Sequence, residues 1–585
     1  MISWVHPGLI LILGSLLIPF LRGRVKQGYM LLLPVLGFIS VLAMHEGTYG
    51  VYHFLGQEIV LGRVDRLATA FGFIFTLMMF IGVLYGLRVK DDGHHLAGFF
   101  YAGSALGATF AGDFLSFLVF WEIMAFASVF LVTYNRTDRA YKAAYRYILV
   151  HATSGVCLMA GILLQYYHTN SLAFAPMELS GLPAILIFFG FAVNAGLPFL
   201  GAWLPDAYPE STLSGGVMMA SFTTKTAVYA LARGFAGAEL LVWIGAIMAL
   251  YSVAYATIES DMRKLLSHHI LSQVGYMVAG IGVGTRLGID GAVAHAFTNI
   301  LYKGLLFMAT GSIIYVTGRR NLKDTGGLYK TMPYTFILFM IGGFSISGVP
   351  LFAGFASKPM ILSAAAEEHY MWPWLLMMFA AAGTFLSTTL KLPYLAFLGK
   401  DKKIEAEDPP CNMLLAMAIT AFLCVLIGVY PNFLYRLLPY GGHYHPYTVE
   451  HFVWTMQILL FTWLGYYFYI DKIKGKHAIN LDADWFYRKA GAPAFMWLAR
   501  KVFAPVDDAV SESYKSIILR PGQWIASRSL RFDKGVVDGI VNGVANFTVS
   551  FSSAMRRLQT GILQDYAFAV FIGLLFLLNL YLLLF

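Results

Sequence analysis

Apolar residues form long runs along almost the whole chain, and short polar segments separate these runs. A run of roughly 17 to 25 apolar residues is long enough to cross a bilayer as an α-helix. About sixteen runs have this length, which predicts an all-α polytopic membrane protein. The predicted spans are residues 5–21, 28–44, 67–87, 96–112, 114–134, 143–166, 184–204, 213–233, 239–257, 264–283, 289–316, 334–357, 372–398, 411–430, 451–470 and 566–585.

One connection departs from the helical pattern. Residues 49–63 alternate weakly between apolar and polar side chains and contain Gly50, Gly56 and Gly62. Because such alternation broken by glycine is typical of a β-hairpin, we expect a short hairpin there, on the outer side of the membrane.

The segment 471–565 is too polar to cross a membrane, although its apolar residues recur at helical spacing, as in residues 536–547. This pattern predicts a long amphipathic lateral helix on the membrane surface, with the last span as its anchor. It could serve as a simple flap or as a brace along neighbouring subunits. The prolines expected to break it into pieces are Pro493, Pro505 and Pro521.

Composition agrees with a membrane protein. Hydrophobic residues make up 58% of the chain and charged residues 12%, whereas about a quarter of a soluble domain is charged. The net charge of +9 would also suit a nucleic-acid-binding protein. The basic residues are spread over short loops, however, so the sequence favours a lipid bilayer as partner and no nucleic acid.

Lys and Arg residues collect in the loops on one predicted side of the membrane, including the basic run Lys472, Lys474 and Lys476. Because cytoplasmic loops collect positive charge, we expect the N-terminus outside and the lateral helix on the cytoplasmic side. A prokaryotic inner, or cytoplasmic, membrane is the expected location. The loops of the other side contain few basic residues, namely Arg63, Arg66, Arg233, Arg286 and Arg436.

The three cysteines, Cys157, Cys411 and Cys424, show no CxxC or Cys/His spacing that could hold zinc or an iron–sulfur cluster. We therefore expect no metal, no cofactor and no catalytic chemistry in this chain. Any electron carriers would belong to other subunits, and the chain could still be one subunit of a redox-driven enzyme.

The segment 194–225 combines a broken helix with a buried lysine, because Pro198 and Pro205 interrupt an apolar run that leads to Lys225. The motif GLPFLG, which contains Pro198, recurs 152 positions later as GVPLFAG, which contains Pro350. Corresponding breaks in two halves of a membrane protein indicate a transport site. The alternative is a coincidence between two Gly-Pro breaks in a glycine-rich chain.

Five charged side chains fall inside predicted spans, namely Glu122, Lys225, Lys303, Lys358 and Lys391. Each charge at the bilayer centre costs about 2.5 to 3.5 kcal/mol, so the set favours a role in moving protons or other ions. Lys358 and Lys391 lie near span ends, where their amines could instead reach the interface. Lys225 and Lys303 could instead form a purely structural buried pair.

Several uncharged or titratable polar residues accompany these charges. His295 and Asn299 precede Lys303 on one helical stripe, at spacings of four residues. The imidazole can relay a proton, whereas the amide can only form hydrogen bonds or orient water. His268 and His269 lie on another span, and at least one of them is expected to be structural.

Five motifs of the chain are distinctive, namely FWE at 120–122, WLPDAYPE at 203–210, FTTKTAVYALARGF at 222–235, HHILSQVGYM at 268–277 and HAFTNILYKGLLFM at 295–308. They resemble the antiporter-like membrane subunits shared by Mrp-type sodium/proton antiporters, respiratory complex I and membrane-bound hydrogenases. The resemblance covers about residues 60–430, and the sequences of the motifs are most similar to those of the D-type Mrp subunit. The tail, from about residue 482 through RRLQTGILQDYA at 556–567, resembles the distal complex I subunit that has a lateral helix.

The resemblance implies a fourteen-helix core with two inverted five-helix repeats and broken helices. It also implies roles in ion translocation for four of the buried charges. Glu122 matches the family's fifth-helix glutamate, Lys225 its eighth-helix lysine, Lys303 its eleventh-helix lysine, and Lys358 the lysine after the twelfth-helix break.

Two positions depart from the family pattern. Asn194 stands where the family has a seventh-helix lysine, and Asn299 stands where a histidine is frequent. Because an amide cannot carry a proton, either Glu122 couples through water to Lys225, or the inner half of the pathway is altered or inactive.

We expect six segments in the chain. These are the first three helices (1–95), the first five-helix repeat (96–235), the second repeat (236–400), two further helices (401–470), the lateral helix region (471–565) and the terminal anchor (566–585).

The leading functional hypothesis is a proton-translocating, or Na+/H+-exchanging, subunit of a multisubunit membrane complex. The alternatives are the distal proton pump of a redox-driven complex of the complex I or hydrogenase type, and the membrane subunit of a carbon-dioxide-hydrating complex. A non-transporting scaffold is a further alternative, because Asn194 cannot carry a proton. In each case the expected partners are other membrane subunits.

Overall fold

The computed structural model describes residues 4–54, 56–473, 491–558 and 561–584. The chain divides into two compact units near residue 484. We call the described residues 4–473 the core unit and the described residues from 491 onward the tail unit.

Helices dominate the core unit, as the apolar runs predict. Helix α16 continues in π-helical turns to residue 398. In chain order the helices are α1 Pro7–Ser15, α2 Gly23–Ala43, α3 Arg66–Tyr85, α4 Asp92–Phe110, α5 Phe114–Thr133, α6 Asp138–Thr169, α7 Gly181–Ala195, α8 Trp203–Ala207, α9 Leu213–Met219, α10 Thr223–Gly234, α11 Glu239–Ile258, α12 Met262–Val283, α13 Arg286–Thr317, α14 Pro333–Ser347, α15 Ala353–Glu367, α16 Met371–Thr384, α17 Cys411–Val429, α18 Asn432–Tyr435 and α19 Val449–Ile473.

Within the described part of the chain, nine helices are long and apolar enough to cross a membrane. The all-α membrane fold is therefore confirmed, whereas the count of sixteen spans stays a prediction. Breaks lower the number of long helices, because three predicted spans are each divided into shorter helices. These spans are 184–204, 213–233 and 334–357.

The core unit repeats the same helix ends in two halves. The side chains of Asp113 and Thr137 accept amide hydrogens at the starts of α5 and α6, and those of Asp261 and Thr285 do so for α12 and α13. Each pair is 148 positions apart, and α6 and α13 both contain 32 residues. The helix ends therefore match in the two halves of the core unit. That the repeats are inverted stays a prediction, because it depends on the predicted number of spans between equivalent helices.

The loops after α6 and α13 share this register. The amide of Phe114 donates to the carbonyl of Leu172 at 2.8 Å, and the amide of Met262 donates to the carbonyl of Arg320 at 3.1 Å. Both members of the second pair lie 148 positions after those of the first. Each bond fixes the start of one long helix to the loop that follows the next.

The predicted hairpin is present. Strands β1 Gly47–Phe54 and β2 Gln57–Val64 pair antiparallel, with Gly47 opposite Val64 and Phe54 opposite Gln57. The ring of Trp4 packs on the hairpin so closely that a Cβ atom at Gly62 would lie 2.4 Å from it.

The tail unit contains α20 Ala492–Leu498, α21 Ala504–Tyr514, α22 Arg520–Phe532, α23 Asp538–Leu558 and the apolar α24 Leu563–Leu584. Contrary to expectation, Pro505 and Pro521 do not divide the helix, because a π-helical turn precedes each. In a π-helical turn the amide bonds to the carbonyl five residues earlier, and the residue just before the proline makes the last such bond. Because a proline has no amide hydrogen, its position directly after this bond leaves the helix continuous. Lys474 and Lys476 of the predicted basic run lie outside the described residues.

We predict that Asp261→Ala lowers the free energy of unfolding by about 1 to 2 kcal/mol. The carboxylate accepts the amides of Arg263 and Lys264 at 2.9 and 3.0 Å and pairs with Arg320. The thermal midpoint of the purified protein in detergent measures the effect. Asp138→Ala is the matched control, because that exposed residue begins α6 while Thr137 provides the cap. Equal midpoints for the two variants would contradict the capping role.

Candidate functional site

The two Gly-Pro motifs form the same backbone break. Gly196 caps the C-terminal end of α7 with φ +73°, and Gly348 caps that of α14 with φ +72°. In both, the glycine amide bonds to the carbonyl three residues earlier, and the next amide bonds to the carbonyl five residues earlier. Pro198 and Pro350 follow in the loops. The shared geometry argues against a coincidence between the two Gly-Pro motifs. It indicates that the two breaks occupy equivalent positions in the two halves of the core unit.

Side chains donate hydrogen bonds to the main-chain carbonyls that these breaks expose. In the first half, Nε1 of Trp203 donates to the carbonyl of Val193 at 2.9 Å. In the second half, Nζ of Lys358 donates to the carbonyl of Ile346 at 2.9 Å, and it lies 5.2 Å from the ring centre of Tyr276. Lys358 is therefore held inside the unit, at 4% exposure, and does not extend to the surface.

A third break lies at Lys225, where the sequence predicted one continuous span. Helix α9 ends at Met219 and α10 begins at Thr223, and Nζ of Lys225 donates to the carbonyl of Ala220 at 2.8 Å. The hydroxyl of Tyr101 bonds to Thr223 at 2.7 Å. No proline marks this break, so the apolar pattern alone could not show it.

Lys303 and Lys391 also donate to main-chain carbonyls. Nζ of Lys303 donates to Leu266 of α12 at 3.0 Å. Nζ of Lys391 donates to the carbonyls of Thr257 and Glu259 at 2.6 and 2.7 Å, at the C-terminal end of α11. Lys391 thus stabilises a helix end, which is a favourable place for a cation, and at 1% exposure it does not reach the surface.

His295 lies in a hydrogen-bonded network on three helices. Its Nδ1 contacts Ser357 at 3.0 Å, and Ser357 precedes Lys358 on α15. Its Nε2 contacts Oε1 of Gln273 on α12 at 3.2 Å. Nδ2 of Asn299 donates to the hydroxyl of Tyr302 at 3.0 Å, and this hydroxyl donates to Gln273. His295 and Asn299 thus meet at Gln273, beside the break that contains Lys358.

The two neighbouring histidines of α12 differ in their contacts. Nε2 of His269 lies 2.7 Å from the hydroxyl of Ser387, in the π-helical segment that also contains Lys391. The ring of His268 stacks on that of Tyr255, with 5.6 Å between ring centres. The structure therefore brings His269 towards the segment that contains Lys391.

Glu122 packs directly on the backbone of α6. A Cβ atom at Gly155 would lie 1.8 Å from Oε1 of Glu122. This oxygen is buried and has no hydrogen-bond partner within the described part of the protein. Asn194 is fully buried and contacts the same helix, since its Oδ1 accepts from Ser154 at 3.1 Å.

One buried histidine is not among the site residues that the sequence predicted. His151 on α6 is 1% exposed, and its ring lies 4.1 Å from that of Tyr147 and 4.6 Å from that of Trp203. It belongs to no motif of the chain. The signal that identifies it is the 148-residue register of the helix ends, which pairs His151 of α6 with Asn299 of α13.

The acids of the WLPDAYPE motif serve the structure. Asp206 binds Arg146 through two hydrogen bonds of 2.6 and 2.8 Å, and Glu210 pairs with Arg320 at 2.9 Å. The buried guanidinium of Arg263 donates to loop carbonyls beside this motif. These ion pairs hold the loop between α8 and α9 in place.

A cavity of about 160 Å³ adjoins the second break. Lys358 lines one part of it, and Glu450 and His451 of α19 line another. Between them, the hydroxyl of Ser363 lies 3.2 Å from Nε2 of His451. Among the described residues, no group of three His, Cys, Asp or Glu side chains could hold a metal ion.

Buried amines held at breaks in membrane helices are the arrangement found in secondary transporters. Residues 111–387 match the family described as NADH:quinone oxidoreductase/Mrp antiporter, transmembrane. The chain is 30% identical over 365 residues to the D-type member of the Na(+)/H(+) antiporter of Alkalihalophilus pseudofirmus, which covers 58% of this chain and 73% of that protein. The chain belongs to this family of antiporter-like membrane subunits.

Two further similarities cover most of the chain. NAD(P)H-quinone oxidoreductase subunit 5 of the Mesostigma viride chloroplast is 26% identical over 579 residues, covering 88% of this chain and 85% of that protein. A chain of the membrane-bound sulfane sulfur reductase, an archaeal respiratory membrane complex, has a similar fold, with TM-score 0.68 and 23% identity. That match covers 98% of this chain and 99% of the other, so it includes the tail unit.

We predict that Gly155→Ala lowers ion transport on the order of tenfold, because the new methyl group would displace the Glu122 carboxylate that packs there. Proton-gradient transport in vesicles that contain the purified complex measures the effect. Gly28→Ala is the matched control, since nothing lies within 4 Å of a Cβ atom at this helical glycine. Wild-type transport by Gly155→Ala would show that the position of Glu122 is unimportant.

Proposed function

We propose that this chain translocates protons, in exchange for Na+ or under the drive of partner subunits, as an antiporter-like subunit of a multisubunit membrane complex. The observation that carries the proposal is a set of buried amines, on Lys225, Lys303 and Lys358, that donate to main-chain carbonyls. Within the described residues, none of these three amines has an ion-pair partner.

A carbonyl partner suits proton exchange. Both an ammonium group and a neutral amine can donate a hydrogen bond to a carbonyl, so the geometry survives when the proton leaves. An ion-paired lysine, in contrast, would leave a buried carboxylate without its counter-ion. Because burial disfavours the charged form of any amine, a charge that arrives on one lysine can expel the proton of the next.

In this proposal, ions pass along a row of side chains in the middle of the core unit. The carriers are Glu122, Lys225, His295, Lys303, Lys358 and Lys391. Asn194, Asn299, His268 and His269 line the pathway, and the breaks at Pro198 and Pro350 open the backbone to it. The hydrogen bonds that join His295 to Oε1 of Gln273 and to the hydroxyl of Ser357 support the link between α12, α13 and α15.

The cavity beside Lys358 provides an outlet for the second half. Its polar lining extends from Lys358 through Ser363 to Glu450 and His451 at the start of α19. The row therefore connects to one end of the core unit through groups that can exchange protons. With the N-terminus outside, as the basic loops favour, this end faces away from the cytoplasm.

The proposed placement is the prokaryotic cytoplasmic membrane, with the lateral helix on its cytoplasmic side. The chain itself carries no cofactor in this proposal. Any redox or hydration chemistry of the complex would belong to its partner subunits.

We predict that Lys303→Ala lowers pH-gradient transport by about tenfold or more, because the row loses an exchangeable proton at its centre. The measurement uses a pH-sensitive dye in vesicles that contain the purified complex, with and without a sodium gradient. Lys142→Ala, which changes an exposed lysine at the start of α6, is the control and should transport like the wild type. Normal transport by Lys303→Ala, with its assembly intact, would refute the pathway.

The tail unit favours a second candidate, the distal pump of a redox-driven complex. The structural match with the sulfane sulfur reductase chain extends through the tail. Co-purified proteins decide between the candidates. Partners with iron–sulfur centres would support the redox-driven pump, whereas partners that are all antiporter-like subunits would support the exchanger.

A further inference from the structure

The 148-residue register of the repeat places Tyr147, His151 and Gly155 of α6 at the positions that His295, Asn299 and Lys303 occupy on α13. The two helices have the same length, the same type of N-cap and left-handed residues at Asn170 and Gly318, again 148 positions apart. The register therefore pairs each residue of α6 with one particular residue of α13. In the first half the lysine position is a glycine, and the asparagine position is a histidine.

Glu122 occupies the space that the missing side chain at Gly155 leaves free. One helical turn earlier, His151 lies on the same stripe of α6, because residues four apart share a helix face. Ser154, between them in sequence, binds Asn194. Glu122, His151 and Asn194 are thus gathered on one face of α6.

Within this cluster, Oε1 of Glu122 is buried without a hydrogen-bond partner in the described protein. The side chain of His151 interacts with that of Asn194, whose Oδ1 also accepts from Ser154. A buried polar atom without a partner is costly and requires an explanation. An unpaired carboxyl oxygen beside a buried imidazole, on one face of α6, indicates a place that transiently receives a proton.

Hydroxyl groups continue from His151 towards Lys225. The ring centre of Tyr147 lies 4.1 Å from that of His151, and the hydroxyl of Tyr147 bonds to Ser128 at 2.8 Å. The hydroxyls of Tyr101, Tyr147 and Tyr208 surround Thr223, with Tyr101 bonded to it. Thr223 begins α10, two residues before Lys225.

We propose that His151 is the proton carrier of the first half, and that it passes protons between Glu122 and Lys225 along the hydroxyls of Tyr147 and Thr223. This inference rests on the proposed function. One ring nitrogen accepts the proton that the Glu122 carboxyl group releases, and the other releases a proton towards the Lys225 amine, so no proton is created or lost. His151 thereby supplies the exchangeable group that Asn194 cannot.

Few other charges contact this route. On the neighbouring elements, Arg146 of α6 and Asp206 of α8 bind each other, and Trp203 presents an uncharged ring to His151. Glu122 on α5 and Lys225 on α10 are the titratable ends. The imidazole is therefore the group between them whose ordinary titration range lies near neutral pH.

The test measures pH-gradient transport by the purified complex in vesicles. His151→Gln keeps a polar side chain of similar size but cannot exchange protons, and we expect transport to fall on the order of tenfold. His168→Gln, an exposed histidine at the end of the same helix, should leave transport unchanged. Adding Asn194→Lys to His151→Gln should restore part of the loss and move the pH of half-maximal transport upward, because a lysine releases its proton at higher pH than histidine.

Tyr147→Phe provides a second variant, because it keeps the ring that packs against His151 and removes the hydroxyl. We expect reduced transport from it as well. If Lys303→Ala is defective but His151→Gln and Tyr147→Phe transport normally, the His151 route is wrong and the proposed function stands. If all three transport normally, the proposed function itself is wrong.

Discussion

The bond between a buried amine and an opened main-chain carbonyl is the interaction on which the centre of this protein depends. A membrane helix can stop and restart inside the bilayer only if other groups bind the carbonyls and amides that the break exposes. Lys225 and Lys358 meet this need at two breaks, and Trp203 meets it at a third. The same contacts hold the amines in the interior, so stability and ion movement use one set of groups.

The two halves of the repeat solve this requirement with different side chains. Where the second half has a lysine at the break, the first half has the indole of Trp203, which cannot exchange a proton. Where α13 has Lys303, α6 has Gly155 covered by the Glu122 carboxylate. The two halves thus share the break that follows α7 and α14, while the ionisable groups are distributed differently between them.

Apolar periodicity predicted the helical fold, the hairpin and the breaks at Pro198 and Pro350, because proline and glycine mark a break in the sequence itself. It did not predict the break after Met219, where Lys225 and not a proline completes the backbone. Nor could it separate the ion-paired Asp206 from the unpaired Glu122, since both are acids in apolar surroundings. The sequence did not predict His151 as a site residue, and the reason is different. Its significance lies in a 148-residue register that is visible in helix ends, whereas the sequence echo has a spacing of 152.

The difference of four residues between these spacings has a location. Residues 170–180 join α6 to α7, and residues 318–332 join α13 to α14, so the second connection is longer by four. Within it, Lys330 binds Asp401, and the carbonyl of Lys323 accepts from Lys402, which ties this loop to the segment after α16. A membrane domain with an internal repeat can therefore gain a contact between two surface segments by lengthening one surface loop, while the buried helices keep their register.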